Sequence, residues 1–125
     1  MLPLAFEVVA TPDLVPGHSL SFTDVGFDDV AIRIEYAIEP AIAMAVPAGG
    51  WVGYGRDDLG NDYEDVGGAY GRARDGDRTD GVLSMPFPID GAKTLRVRLR
   101  PGGDNAGFDG QEGSAAYELV VNLEL

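Results

Sequence analysis

The sequence has no cysteine among its 125 residues, a single histidine, and only nine basic residues. The lack of cysteine excludes a disulfide scaffold, a catalytic thiol and a cysteine-ligated zinc site. One histidine and four serines leave little material for nucleophilic catalysis, so we expect a chain that is not an enzyme. The 21 acidic residues give a net charge of −12, which argues against nucleic acid and anionic membrane surfaces as partners.

Long hydrophobic runs are absent as well. The longest stretch without charge, residues 40–55, is broken by proline and glycine and is too short to span a bilayer. Residues 1–6 contain no basic side chain, and Glu7 follows before a signal-peptide core could form. We therefore predict a soluble chain without signal peptide or membrane insertion, either cytoplasmic or a domain excised from an exported protein.

The chain does alternate apolar and polar residues. Residues 31–39, 94–100 and 117–125 place apolar side chains on one side and mostly polar ones on the other. This period of two is typical of antiparallel strands with one buried face. Five further, weaker strands are expected at residues 6–11, 19–25, 50–55, 62–66 and 82–87.

About eight short strands predict a single all-β domain, an antiparallel β-sandwich over residues 1–125. We favour an immunoglobulin-like topology, with a jelly roll as the alternative. Long loops are expected at residues 67–81 and 101–113. The C-terminal strand is predicted to be an edge strand that another chain could pair with.

The clearest hairpin signal lies within residues 51–63. Asp57 suits the first position of a type I turn, and Gly60 suits its left-handed end. A second turn is predicted at Asp28 and Asp29, between two strands.

The hairpin reads Asp-Asp-Leu-Gly-Asn-Asp-Tyr over residues 57–63, and residues 85–97 hold an aromatic-proline stretch before a Leu-x-Val strand. With the opening strands at 20–25 and 32–38, this order resembles uncharacterised immunoglobulin-like domains of Gram-positive bacteria. These include domains attached to anti-sigma factors and exported lipoproteins. The resemblance covers about residues 18 to 100 and implies the fold, but no activity and no catalytic residues.

Five carboxylates surround the hairpin tip: Asp57, Asp58, Asp62, Glu64 and Asp65. Calcium takes six to eight oxygen ligands, and acidic loops supply them, so this cluster is a candidate calcium site. The favoured alternative is that Asp57 builds the turn while the other carboxylates face water. Calcium is the only cofactor that the sequence suggests.

A second acidic stretch contains Asp75, Asp77 and Asp80. It fails the EF-hand pattern because proline stands where the final glutamate is needed. A looser calcium site shared with the hairpin carboxylates remains open, although interleaved arginines oppose it.

The charge is unevenly distributed along the chain. Residues 1–50 hold seven acids and one base, residues 51–100 nine and eight, and residues 101–125 five and none. Arginines cluster in the predicted central loop and along one strand: Arg72, Arg74 and Arg78, then Arg96, Arg98 and Arg100. Either they contact an anionic ligand or acidic partner, or the strand arginines pair with glutamates on neighbouring strands, such as Glu118 and Glu124 or Glu35 and Glu39.

Four aromatic residues lie near the hairpin and the central loop: Trp51, Tyr54, Tyr63 and Tyr70. They could form a platform on which a sugar stacks, but burial in the core and cross-strand pairing are commoner roles.

Taken together, these features predict a structural or accessory protein-interaction domain that contacts a protein partner or further copies of itself. The alternative is a calcium- or carbohydrate-binding module that uses the loop carboxylates and aromatics. The contact residues proposed for a ligand or partner are Trp51, Tyr54, Tyr63, Arg72, Arg74 and Arg78.

Overall fold

The computed structural model describes residues 2–41, 51–72, 77–101, 107–110 and 115–124, with only the backbone described at 69–72 and 101. These residues form ten strands and no helix, and so none of them forms a helix that could cross a membrane. The strands are β1 (Leu2–Pro3), β2 (Phe6–Ala10), β3 (Ser19–Phe27), β4 (Ile32–Glu39), β5 (Trp51–Asp57), β6 (Asp62–Glu64), β7 (Gly67–Arg72), β8 (Thr79–Met85), β9 (Thr94–Pro101) and β10 (Tyr117–Asn122).

The strands build two antiparallel sheets of five, which confirms the predicted β-sandwich. One sheet has the order β1-β3-β4-β8-β7, and the other has the order β2-β10-β9-β5-β6. The N-terminal segment contributes a strand to each sheet. The immunoglobulin-like and jelly-roll topologies both stay predictions, because two packed antiparallel sheets are common to them.

The eight predicted strands are all present, and the structure adds two. Strand β7 lies inside the predicted loop 67–81, and β8 begins at Thr79, three residues earlier than expected. The prediction of a long loop there is therefore wrong for residues 67–72 and 79–81. Of the predicted loop 101–113, residues 102–106 and 111–113 lie outside the described residues.

The prediction that the C-terminal strand is an edge strand is wrong. Strand β10 pairs with β9 on one side and with β2 on the other. Strand β2 is therefore one edge of this sheet, and its Val8 and Val9 are both exposed.

The core lies between the sheets and is filled by the apolar half of each alternating strand. Its fully enclosed side chains come from both sheets: Ile32, Ile34, Ile38, Met85, Leu95, Val97, Leu99, Tyr117, Leu119 and Val121. Burial of an aliphatic side chain contributes roughly 1.5–3 kcal/mol, so this interior is the main source of stability.

Two glycines on the core side give room to large neighbours. A Cβ atom at Gly53 would lie closer than 3.0 Å to the Leu83 side chain, and one at Gly81 would lie equally close to the Tyr36 ring. Gly81 is paired directly with Tyr36 across β8 and β4. The ring therefore occupies space that a Cβ would need.

One end of the sandwich, which we call the turn end, consists of the β3–β4 turn, the β5–β6 turn and the β8–β9 connection. These are residues 28–31, 58–61 and 86–93. The registers place them together, because Ile32 pairs with Met85 and Asp57 pairs with Leu95. Thr79 pairs with Ile38 at the far end of β4, so the beginning of β8 lies at the opposite end.

Candidate functional site

The β5–β6 hairpin at the turn end is organised by Asp57, which is 4% exposed. Its Oδ1 accepts hydrogen bonds from the backbone N–H groups of Leu59 and Asn61, both at 2.9 Å. Its Oδ2 accepts the Tyr63 hydroxyl at 2.7 Å. Gly60 closes the turn at φ +91°, so the predicted turn is confirmed at its first and last positions.

The hairpin is tied to the β8–β9 connection. Asp58 Oδ1 accepts the N–H groups of Lys93 at 2.7 Å and Thr94 at 3.3 Å. The Tyr63 hydroxyl oxygen accepts the N–H of Ile89 at 3.1 Å. These bonds fix the positions of the two irregular segments relative to each other. A surface that is already ordered loses less conformational entropy when a partner binds.

These bonds set the protonation of the hairpin groups. Burial raises the pKa of Asp57, but the bonds from Tyr63 and Asn61 outweigh it and hold this pKa below its ordinary value. The Lys93 N–H likewise lowers the pKa of Asp58. Burial and the bond to Asp57 raise the pKa of the Tyr63 phenol. Both carboxylates are therefore charged at neutral pH and add negative charge to the turn end.

The other three carboxylates of the candidate calcium site have separate environments. Asp62 pairs with Arg56 at 2.6 Å, Asp65 accepts the Gly53 N–H at 2.7 Å, and Glu64 is exposed. In the part of the chain that the structure describes, no three acidic or histidine side chains form a group that could hold a metal ion. Calcium binding here stays a prediction, which a rise in Tm with millimolar Ca²⁺ and its reversal by EDTA would support.

The second acidic stretch is far from this cluster. Asp80 lies on β8 opposite Ala37, and the Asp77 carbonyl accepts the Ala41 N–H, both at the opposite end of the sandwich. Asp75 lies outside the described residues. Asp77 and Asp80 thus lie at the end of the sandwich opposite the hairpin tip, and the calcium site shared by both acidic stretches stays a prediction.

The turn end also gathers exposed apolar side chains. Among the described residues eight large apolar side chains are exposed. Four belong to the turn end, Val30 (73%), Leu59 (54%), Phe87 (44%) and Ile89 (54%), and a fifth, Leu2 (61%), lies in β1 and pairs with Phe27 beside the β3–β4 turn. They come from four separate segments that only the fold brings together. We call these five residues the apolar patch.

An open cavity of about 220 Å³ lies within this end. Its walls include Leu4, Phe27, Phe87 and Leu123, and the Phe27 and Phe87 rings meet edge to face at 6.2 Å. Asp90 is the only acidic residue among the described residues that line it. The cavity is thus an apolar depression beside the exposed residues of the patch.

Acidic residues belong to the same segments as the patch. Asp28, Asp29, Asp58 and Asp90 belong to the three segments of the turn end, whose only basic residue is Lys93. Asp28 is paired with Arg33 at 2.9 Å. Asp29, Asp58 and Asp90 are exposed, and we call these three residues the acidic rim.

Asp28 makes the β3–β4 turn sensitive to acid. Its Oδ1 accepts the N–H groups of Val30 and Ala31 at 2.8 and 2.9 Å, and these bonds, with that to Arg33, lower its pKa to about 2. Because the folded pKa lies below the unfolded value, the stabilisation is complete above pH 4 and is lost as the pH falls toward 2. We expect Asp28→Asn to lower the urea midpoint at pH 7 and to converge with the unmodified protein near pH 2. Asp29→Asn, which removes the neighbouring exposed carboxylate, is the matched control, and equal curves for both variants would contradict this role.

The outer face of the second sheet carries an arginine cluster covered by residues 107–110. The Phe108 ring lies between Arg56 and Arg98, with guanidinium carbons 4.5 and 4.2 Å from its centroid. The Phe108 carbonyl accepts hydrogen bonds from Arg98 at 3.0 Å and Arg100 at 3.1 Å. Neither Phe108 nor its role was evident from the sequence, since it stands in a glycine-rich stretch without periodicity.

Arg56 also holds two carboxylates, Asp62 at 2.6 Å and Asp109 at 3.1 Å. The hydrogen bonds that Arg56 donates to them, above all the one to Asp62, raise the pKa of the Arg56 guanidinium. Arg56 was not among the predicted contact residues, and here it joins the hairpin to the segment 107–110.

The arginine stripe of β9 pairs mainly with Glu118, as one of the two interpretations predicted. Glu118 is 5% exposed and accepts bonds from Arg96 and Arg98, both at 2.5 Å. Arg100 is 2% exposed and bonds to backbone carbonyls instead. Glu35 lies on β4 in the other sheet and is not a neighbour of the stripe. All three arginines therefore have partners within the chain.

The predicted aromatic platform is divided by the fold. Trp51 packs against Tyr117 of the core with ring centroids 5.6 Å apart, while Tyr54 is 6% exposed. Tyr63 lies at the other end of β5, opposite Gly55. The three described rings do not share an exposed surface, and the Tyr70 side chain lies outside the described residues.

Of the three predicted loop arginines, the structure describes only the Arg78 side chain. Arg78 pairs with Asp80 at 2.9 Å, and both are about half exposed. Arg72 ends β7 but its side chain is not described, and Arg74 lies outside the described residues. The predicted contact set is thus spread over both ends of the sandwich.

Fold and site together define an acidic β-sandwich domain whose turn end combines an apolar patch, a cavity and an acidic rim. No family model matches the chain, and no curated protein or solved structure matches it. The resemblance to immunoglobulin-like domains of Gram-positive bacteria stays a prediction based on turn and strand motifs.

Proposed function

We propose that this chain is a non-enzymatic protein-interaction domain and that the turn end makes the contact. The observation that carries the proposal is the concentration of exposed apolar side chains at this end. Single exposed apolar residues are normal on protein surfaces, but several at one end of a domain, beside an apolar cavity and with acidic residues in the same segments, are typical of an interaction site.

The hydrogen bonds that hold the segments of the patch favour the same function. Ile89 and Leu59 stand on segments that Tyr63 and Asp58 hold by hydrogen bonds to the backbone. A rigid surface loses less conformational entropy when a partner binds. The side chains of the patch therefore stand on a pre-organised base, although they lie in turns.

Variants that remove single patch residues test this function. Peptides are selected from a random library for binding to the unmodified protein. Their affinities are then measured for the unmodified protein and for Ile89→Ser, Leu59→Ser and Val9→Ser. Val9 is the matched control, because it is 53% exposed against 54% for Ile89 but lies on β2, outside the patch. We expect at least tenfold weaker binding for the two patch variants and less than twofold change for Val9→Ser.

The Tm of each variant is compared with that of the unmodified protein, because equal values show that all of the proteins tested are folded. Binders that are insensitive to both patch variants, or that are lost only in Val9→Ser, would contradict the proposal and point to the open edge of β2. A library from which no peptide is enriched would contradict it as well.

A further inference from the structure

The cavity at the turn end is too small for a typical small-molecule ligand. Ligand pockets are commonly about 300–1,000 Å³, whereas this one is about 220 Å³. Its aromatic and aliphatic walls, Leu4, Phe27, Phe87 and Leu123, suit one bulky apolar side chain of a partner. Such an anchor residue in a desolvated pocket commonly dominates the affinity of an interface.

The charge around the cavity determines which chains can approach it. Asp29, Asp58 and Asp90 are exposed in its surroundings and Lys93 is the only basic residue of the same segments. The whole chain carries a net charge of −12. Like charges across an interface are strongly unfavourable, so a second copy of this chain is a poor occupant, while a cationic segment is attracted.

We infer that the turn end binds a basic peptide segment of another protein, with one bulky apolar side chain in the cavity and lysine or arginine side chains over the acidic rim. This inference rests on the proposed function and adds the chemistry of the partner. The apolar contact supplies most of the affinity, and the charges supply orientation and the rate of association.

Three synthetic pentapeptides test the inference by fluorescence anisotropy. The first has phenylalanine between two pairs of lysines, the second replaces phenylalanine with alanine, and the third replaces the lysines with glutamates. We expect the first to bind at least tenfold more tightly than either of the others. Its affinity should fall several-fold between 50 and 500 mM NaCl, because exposed charges are screened.

Matched protein variants separate the acidic rim from the overall charge. Asp29→Asn with Asp90→Asn removes two rim charges, and Glu7→Gln with Asp24→Asn removes two exposed charges elsewhere. We expect the rim variant to bind the lysine peptide at least fivefold more weakly than the unmodified protein, and the control variant to bind it with less than twofold change in affinity. Equal losses in both variants would show non-specific attraction and overturn the inference.

The outcomes distinguish this inference from the proposed function. If the glutamate peptide binds as tightly as the lysine peptide and Ile89→Ser abolishes both, the interaction surface stands and the basic partner is wrong. If the lysine peptide binds equally to Ile89→Ser, the surface itself is wrong. Sedimentation equilibrium that detects a dimer sensitive to Ile89→Ser would assign the surface to a second copy and overturn the basic partner.

Discussion

Substitution of Gly81 by alanine should lower the free energy of unfolding by about 2 kcal/mol, within the roughly 1–3 kcal/mol typical of an overpacked core. The added Cβ would meet the ring of Tyr36 at less than 3.0 Å. Tyr36 is 4% exposed and packs within the core, so its ring has no open space to enter. Either the ring leaves its position or β4 and β8 separate, and both disturb the centre of one sheet. Urea unfolding of the variant measures the loss.

A second substitution tests the cause. In Tyr36→Leu the ring is absent, so adding Gly81→Ala to this background should destabilise much less than it does in the unmodified protein. Contacting residues commonly show coupling energies of 0.5–3 kcal/mol, and we expect at least about 1 kcal/mol here. Additive effects would contradict steric conflict with Tyr36 and would attribute the loss to the backbone of Gly81.

Glu118→Gln should cost about 2 kcal/mol at neutral pH. The change keeps the shape of the side chain but removes the charge that faces Arg96 and Arg98. Removal of one partner from a fully buried ion pair costs about 3–5 kcal/mol. We expect less here because the Arg96 side chain is 49% exposed and regains solvation. Glu124→Gln, an exposed site just beyond β10, is the control and should stay within about 0.5 kcal/mol.

The effect should depend on pH. Burial raises the pKa of Glu118, but hydrogen bonds and charge from Arg96 and Arg98 outweigh it and hold this pKa below the ordinary 4.5. A lowered folded pKa gives stability that is present above pH 4.5 and disappears in acid. The difference between the unmodified protein and Glu118→Gln should therefore shrink below pH 4.5. A difference that stays constant with pH would indicate a packing defect instead of a lost ion pair.

Alternation within single segments made much of the fold predictable. Residues 94–100 and 117–122 each show a period of two, and they are neighbours with a regular register in the structure. The turn at Asp57 was predictable for the same reason, because its determinants lie within four residues. Local patterns suffice where the physical cause is local.

Strand β7 shows where such patterns stop. Its sequence, Gly-Gly-Ala-Tyr-Gly-Arg, has no alternation and three glycines, so it reads as a loop. It is a strand because the backbone of β8 offers hydrogen bonds along its whole length. The partner, not the propensity of the segment, decides its conformation.

The apolar patch could not be predicted from the sequence for a similar reason. Leu2, Leu59 and Ile89 are separated by tens of residues, and each alone is an ordinary exposed apolar residue. Only the strand order brings their segments to one end. By contrast, the five hairpin carboxylates are close in sequence, yet in the structure Asp57, Asp58, Asp62 and Asp65 have separate hydrogen-bond partners and Glu64 is exposed.

Strand β2 and its neighbour β10 have a further consequence, which concerns mechanical load. They run antiparallel, and the contact between Asn122 N–H and the Ala5 carbonyl lies at the turn end, where Leu2 also pairs with Phe27. A force that draws the N-terminal segment and β10 apart at this end would load the hydrogen bonds one after another, as in a zipper, instead of all at once in shear. The sandwich should therefore open at low tension, beginning beside its own apolar patch.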